Sequence, residues 1–215
     1  MTRPMVIIGV GGHAVSVAGV AHAAGFQIAH FVDASRAGTD LLGVPIIADL
    51  DSLDLRRIEI SVAIGDNAVR ERVSTALIER HHDACFPALI HPTAVIGWAA
   101  QLGDGTVLMA GATVGANTRI GRFCVLNTRS SIDHDGLMAD CSSLAPGAVT
   151  GGTVRIGRRS AVSIGAIVKH GISIDDDTIL GAGSYLDRNL PAGTVAWGTP
   201  ARIMRSRQAG DPYLN

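Results

Sequence analysis

Thr118-Arg119-Ile120-Gly121-Arg122-Phe123-Cys124-Val125-Leu126-Asn127-Thr128-Arg129-Ser130-Ser131-Ile132-Asp133-His134-Asp135 is three hexads in a row. Each carries an aliphatic residue (Ile120, Leu126, Ile132) with a small side chain two residues before it (Thr118, Cys124, Ser130). The pattern extends in both directions. Every sixth residue from Ile96 to Leu186 is aliphatic or Met, Thr150 alone excepted. The residue two before is small in fourteen of the sixteen cases, Val154 and Ile172 being the exceptions. Glycine follows the register position at 97, 103, 115, 121, 151, 157 and 181. An α-helix turns every 3.6 residues and would smear a period of six around its axis. A short strand that turns a corner and repeats satisfies it, and hexapeptide repeats are a signature of parallel β-helices. Three hexads close one triangular coil, so the stretch is about five coils.

Upstream the pattern changes. Met5–Ile8 reads as a fully buried strand ending in Gly9-Val10-Gly11-Gly12-His13, and residues 13–24 read as a small-residue helix closed by Gly25. Residues 28–32 form a second strand ending at Asp33, residues 44–47 a short one, and residues 58–64 a third that terminates in Gly65-Asp66-Asn67. A helix over 67–80 and a short strand around Ala84-Cys85-Phe86 lead to His91-Pro92-Thr93, where the coils start. Strand–loop–helix alternation implies a parallel sheet with right-handed crossovers. The expected division is an α/β Rossmann-like domain over 1–88, too short for a second mononucleotide half, a parallel β-helix over 89–205, and a tail over 206–215.

Formal net charge is −1, which argues against nucleic acid or a membrane surface as partner. Aromatics are 4 % of residues, enough for a core of stacked Val, Ile, Leu and Ala. Cys85, Cys124 and Cys141 lack metal or CxxC spacing and read as free thiols in a reducing compartment. With neither a signal-type apolar region nor a run near the ~20 apolar residues of a membrane span, a soluble cytoplasmic protein is expected.

Two motifs carry chemistry. The Gly9-x-Gly11 loop brings backbone N–H groups and a helix N-terminus close to a phosphate, and Asp33 stands where such folds place a carboxylate for a ribose hydroxyl. A tight structural turn is the competing reading of the loop. In Asn127–Asp135, two carboxylates flank the imidazole of His134, just past an aliphatic anchor and hence near a corner. A carboxylate beside an imidazole raises its basicity, as a general base near neutral pH requires. Stepping by one coil, Ala116 and Gly152 are the vertical neighbours of His134, and the Gly152 backbone N–H is an oxyanion donor candidate. A solvated corner histidine is the bland alternative. No metal site is expected, because His134 and His170 lie two strand spacings apart.

A Gly-Gly-His loop on a small Rossmann-like domain, followed by coils with Leu-Asn-Thr-x-Ser-Ser-Ile-Asp-His-Asp, resembles the bacterial sugar acetyltransferases of the bacillosamine, perosamine and sialic-acid type. The resemblance runs from Val6 to Arg205. The closing Gly198-Thr199-Pro200-Ala201-Arg202 is similar to the end of many coenzyme A-dependent β-helix transferases, which puts Pro200 and Arg202 among the cofactor contacts. The resemblance implies a left-handed β-helix, a homotrimer, acetyl-CoA in the groove between neighbouring β-helices, and a nucleotide-sugar on the N-terminal domain whose 4-amino group attacks the thioester. His134 matches the general base and Asp135 the acid after it; where the family has Glu, the shorter Asp needs another rotamer or a water to reach. Gly11, Gly12 and His13 match the substrate loop, with Gly65 and Asn127 also on the substrate side and Asp33 the nucleotide-contacting acid. Ser143, Ile164 and Ala182 match coenzyme A contacts, and the last two are one coil apart.

One departure bears on the base. Members acting on UDP-sugars can carry a second acid after the Asp33 equivalent, and here that residue is Ala34, which leans the reading toward a GDP-linked 4-amino sugar. Transfer to a sugar hydroxyl and a non-catalytic β-helix scaffold are the rival readings. A sugar-1-phosphate nucleotidyltransferase would need a longer N-terminal domain with a Gly-x-Gly-Thr-Arg-type loop, which Gly9–Ala14 lacks.

Overall fold

Four apolar residues, Met5–Ile8 (β1), are buried on both faces, as the central strand of a parallel sheet must be. The structure, a computed structural model, describes residues 3–213. Around β1 the chain lays down α1 (Gly12–Ala23), β2 (Ile28–Val32), β3 (Asp40–Leu41), β4 (Val44–Ile47), β5 (Glu59–Val62) and α2 (Asn67–Arg80). The sheet order is β3-β4-β2-β1-β5, parallel except for the β3–β4 hairpin. Gly25, at φ 82°, ends α1, and Asp66 starts α2 by accepting from the N–H groups of Ala68 and Val69, both at 3.0 Å.

Two local expectations need correction, and one strand had no forewarning. The strand expected over 58–64 contracts to β5, because Gly65 and Asp66 already turn the chain into α2. Ala84-Cys85-Phe86 forms no strand. It is an extended bridge whose carbonyls accept one bond from the sheet (Ile60 N to Cys85 O, 2.9 Å) and one from the first coil (Gly105 N to Phe86 O, 2.8 Å). Residues 40–41 pair as a strand that has no periodicity to announce it.

Leu89–Ile90 (β6) pairs with Val107–Leu108 and begins the β-helix. Two-residue strands then recur every six residues from Val95–Ile96 to Tyr185–Leu186, forming parallel sheets of six, five and eight strands. The eight-stranded sheet ends in a hairpin of Thr194–Gly198 with Ala201–Ser206. Partners among these two-residue strands are eighteen residues apart, as Thr113 between Val95 and Ser131 shows, and the spacing shortens to sixteen where Ile179 pairs with Val195. The register residues stack inward: Leu108, Leu126, Leu144, Val162 and Leu180 are all completely buried. The small residues two places earlier also face inward, where Thr118 and Ser130 turn their hydroxyls onto the carbonyls of Asp133 (2.8 Å) and Asn127 (2.7 Å). Larger residues fit there only where the column leaves room, as Val154 and Ile172 do above Gly136. Ile96 is the exception, exposed at 41 %, since no earlier coil covers that end of its sheet.

The corners repeat a second feature. At each, one residue takes a left-handed conformation, giving three columns at eighteen-residue steps. One runs through Ala99, Asn117, Asp135, Thr153 and Gly171, a second through Gly105, Phe123, Cys141, Arg159 and Asp177, and a third through Gly111, Arg129, Gly147, Gly165 and Gly183. Asn and Asp tolerate this conformation better than other side chains, which suits Asn117 and Asp135.

The second column is where the two domains lock. Arg70 of α2 is 1 % exposed and donates to main-chain carbonyls on both sides of the junction: Phe123 (2.8 Å) and Cys141 (3.0 Å) on the β-helix, Ile64 (2.8 Å) and Gly65 (3.0 Å) on the loop after β5. It also grips Asn67 Oδ1 at 2.6 Å, while Asn67 Nδ2 donates to Ser143 Oγ, Arg159 O and Ser160 O, each at 3.1 Å. Glu71 pairs with Arg158 and Arg159 beside them. The β5 loop is thereby held at a fixed height against the coils.

Candidate active site

His134 stands at a corner of the prism with its side chain 57 % exposed. Its own N–H donates to Asp133 Oδ1 (2.7 Å), and its Nδ1 meets Asp135 Oδ2 at 2.8 Å. The left-handed backbone of Asp135 (φ 56°) folds the short carboxylate back onto the preceding imidazole, so Asp reaches directly and needs no water. Asp135 Oδ1 accepts at the same time from Asn117 Nδ2, one coil below, at 2.7 Å. With the carboxylate at Nδ1, the proton sits there and Nε2 keeps its lone pair for a substrate. The bond from Asp135, then the charge of Asp133, raises the His134 pKa above its ordinary 6.5.

Gly152 lies one coil above. A Cβ built there would come within 2.4 Å of His134 Nε2 and 2.5 Å of Cε1, so the ring rests directly on this residue. Its N–H has no acceptor among the described residues. Gly152→Ala must push the imidazole off its seat, and we expect kcat to fall about ten- to a hundredfold with an unchanged melting temperature. Steady-state kinetics beside a thermal melt check this; near-normal kcat would mean the ring position does not matter.

On a different edge of the same prism lies a cleft of about 340 Å³ between the two domains. Its walls include His13 and Gly65 from the N-terminal domain and Asn127, Ser143, Ile164 and Ala182 from the coils. Six of the substrate-side and cofactor-side residues named from the sequence thus meet in one cavity. Gly11 and Gly12 are exposed on the first turn of α1 next to it. Burial, aided by the Arg70 charge, lowers the His13 pKa to about 4, which leaves a neutral ring whose Nε2 has no protein partner. Asp33 is outside the cleft. Its Oδ1 is used within its own loop, accepting from Ser35 N (2.9 Å) and Ser35 Oγ (2.5 Å), which with Arg36 holds its pKa low. Arg36 of that loop reaches the Val10 carbonyl at 3.4 Å, so the Asp33 loop adjoins the glycine loop. Pro200 and Arg202 sit on the terminal hairpin, with Arg202 3.6 Å from Asp187.

Within one protomer, His134, Asp135 and Gly152 are therefore not brought together with the cleft. Sequence reasoning also missed three participants. Asn117 could have been found by stepping one coil back from Asp135. Arg70 and Tyr213, which also lines the cleft, carry no such signal.

A stacked-hexad transferase fold, a carboxylate-backed histidine and an adjoining α/β domain define the class. Comparison with known proteins agrees. Residues 4–77 match the PglD N-terminal domain family. The chain is 30 % identical over 183 residues to GDP-perosamine N-acetyltransferase of Escherichia coli O157:H7, covering 81 % of each. Among solved structures, the acetyltransferase domain of PglB from Neisseria gonorrhoeae superimposes with a TM-score of 0.89 at 32 % identity, covering 94 % of this chain and all of that one, and it has also been solved with acetyl coenzyme A. PerB from Caulobacter crescentus, in complex with CoA and GDP-perosamine, gives 0.86 at 36 % identity, covering 95 % and 99 %. The protein is an acetyl-CoA-dependent N-acetyltransferase with acetyl-CoA as co-substrate. It belongs to the nucleotide-sugar N-acetyltransferase family that includes GDP-perosamine N-acetyltransferase. Among the described residues, no helix is long and apolar enough to cross a membrane.

Proposed function

We propose that this enzyme transfers the acetyl group of acetyl-CoA to the 4-amino group of a nucleotide-linked deoxyamino sugar, with His134 as general base. The observation that carries the reading is the His134–Asp135 pair, half-exposed at the corner, with its Nε2 against Gly152. The neutral amine attacks the thioester carbonyl and forms the C–N bond. His134 Nε2 takes the ammonium proton from the tetrahedral intermediate, the Gly152 N–H meets the oxyanion, and collapse breaks the C–S bond to release the coenzyme A thiolate. His134 then returns its proton to the thiolate. Donors aimed at a developing oxyanion, and a base of matched pKa, are the effects such a reaction needs.

The nucleotide is proposed to lie along the carboxyl ends of β1 and β2, on the Rossmann-like domain of residues 1–88, with its diphosphate at the start of α1. The β-helix over 89–205 is read as left-handed. Ala34 at the second acid position supports guanine over uracil, as do the ligand of PerB and the substrate named for the curated relative. We expect Asp33→Ala to raise KM for the nucleotide-sugar at least about tenfold while leaving that for acetyl-CoA nearly unchanged. Equal losses for both would indicate misfolding instead.

A homotrimer in the cytoplasm is part of the proposal. The reacting histidine and the cleft occupy different edges of one prism, so a neighbouring copy must supply one to the other. The six-stranded sheet also exposes Val149, Ile167 and Tyr185, stacked on adjacent strands, and at its far end Val95, followed by Trp98 at 88 % exposure. Threefold closure would cover this face. Titrating GDP- and UDP-linked 4-amino sugars against the protein and reading melting shifts tests the proposal: a shift with the GDP-sugar supports it, and none with any nucleotide-sugar would refute it.

A further inference from the structure

Residues 207–213 fold back onto the coils. Arg207, 9 % exposed, donates its N–H to Gly193 O (2.8 Å) and its Nη1 to Asp177 O (2.9 Å), both in the coils, and its Nη2 to Asp211 O. Gln208 N donates to Asp211 Oδ2 (2.8 Å), and Asp211 N to Gln208 O (3.2 Å), closing a tight loop around the guanidinium. The chain is thereby turned back along the eight-stranded sheet. Tyr213 then lays its ring on Ala161, Ile179 and Val195, with the Arg207 guanidinium 5.9 Å from its centroid. Its hydroxyl crosses to the other domain and donates to Gly65 O at 3.4 Å, in the same cleft as His13 and Asn127.

A strap that only stabilised the end of the β-helix would stop at the apolar contacts. This one reaches the loop leaving the carboxyl end of β5, the side of a parallel sheet on which ligands bind. We infer that Tyr213 is a substrate-binding residue for the acceptor: its ring forms the wall against which the sugar of the nucleoside diphosphate sugar rests, and its hydroxyl bonds that sugar once the weak contact to Gly65 is exchanged. This rests on the acceptor reading given above. Aromatic rings pack well on the C–H face of a pyranose while the phenol supplies a polar handle. The acyl donor is assigned to Ile164 and Ala182, elsewhere in the same cleft, and its KM should change little.

The test is steady-state kinetics with GDP-linked 4-amino sugar and acetyl-CoA, using full-length Tyr213→Ala and Tyr213→Phe and a chain ending at Arg207. Tyr213→Ala and the truncation should each raise KM for the nucleotide-sugar about tenfold, with KM for acetyl-CoA within about twofold of normal. Tyr213→Phe, which keeps the ring, should fall between. Should the alanine variant not fold, Tyr213→Leu keeps the bulk and carries the same comparison. An unchanged acceptor KM, or parallel rises in both KM values with a lowered melting temperature, would overturn the role of Tyr213 alone. A wild-type enzyme that acetylates no nucleotide-linked amino sugar would overturn the acceptor reading itself, and Tyr213 with it.

Discussion

Replacing His134 with alanine is expected to lower kcat about 10²–10⁴-fold while changing KM for either substrate little, because the lost interaction is a proton transfer made in the transition state. His134→Asn separates base from positioner: it keeps a hydrogen bond and loses the proton acceptor, so it should be nearly as impaired as alanine. The pH profile adds a second check. Asp135 and Asp133 hold the His134 pKa above 6.5, and only the neutral ring can accept a proton. Activity should therefore fall as pH drops, with an acid limb centred above 6.5. Asp135→Ala removes the principal cause of the shift, so the limb should move to lower pH, while kcat on the plateau drops because the remaining imidazole is a weaker, less well oriented base. A limb that stays in place in Asp135→Ala would assign it to another group, such as the amine of the substrate.

Arg70→Ala should be the most destabilising substitution in the chain. The side chain is buried and supplies donors to carbonyls on both domains as well as to Asn67 Oδ1. Truncation leaves these acceptors without partners in a space that water fills only in part. Breaking such a buried charged cluster costs about 3–5 kcal/mol. For a chain of this size that is a melting temperature lower by roughly 10 °C or more. The same change should loosen the Gly65 loop and let the pKa of His13 rise from about 4, since the Arg70 charge helps to depress it. Chemical denaturation and NMR titration of His13 check the two halves; a loss below about 1 kcal/mol would mean the guanidinium is replaceable by solvent.

The β-helix was legible because its geometry imposes a period on sequence. One inward register residue and one small corner residue per hexad leave a record that no helix or ordinary strand would leave. The corner placement of His134 and the stacking of Gly152 against its ring follow from counting by eighteen, as does the pairing of Asn117 with Asp135 that was overlooked. In the α/β domain, β2, β4 and α2 were readable where Gly25, Asp33, Gly65 and Asp66 punctuate the chain. The hairpin strand at 40–41 was not, because two residues are too few to show alternation.

What stayed hidden shares one cause. Arg70 lies in a helix that also carries Glu71, Arg72, Glu79 and Arg80, and nothing local distinguishes it from them; apart from Asn67 Oδ1 its partners are main-chain carbonyls, up to 72 residues away. Arg207 and Tyr213 belong to a segment with no period, and the carbonyls and apolar faces that capture them belong to distant coils. Main-chain acceptors leave no trace in side-chain spacing. The separation of His134 from the coil side of the cleft, by contrast, could have been counted: Ile164 and Ala182 each stand twelve residues past a member of the His134 column, Gly152 and His170, and so on a different corner.

The central claim is transfer of an acetyl group to a sugar amine at carbon 4 under His134 catalysis, and its most direct test is the structure of the product. Wild-type enzyme would be incubated with acetyl-CoA and a GDP-linked 4-amino-4,6-dideoxy sugar, and in parallel with the matching 4-hydroxy sugar, and the products assigned by NMR. The account predicts an amide at carbon 4 of the amino sugar, no ester on the hydroxy sugar, and loss of the amide signal in His134→Asn. An ester on the hydroxy sugar with the amine untouched, or undiminished amide formation by His134→Asn, would contradict it.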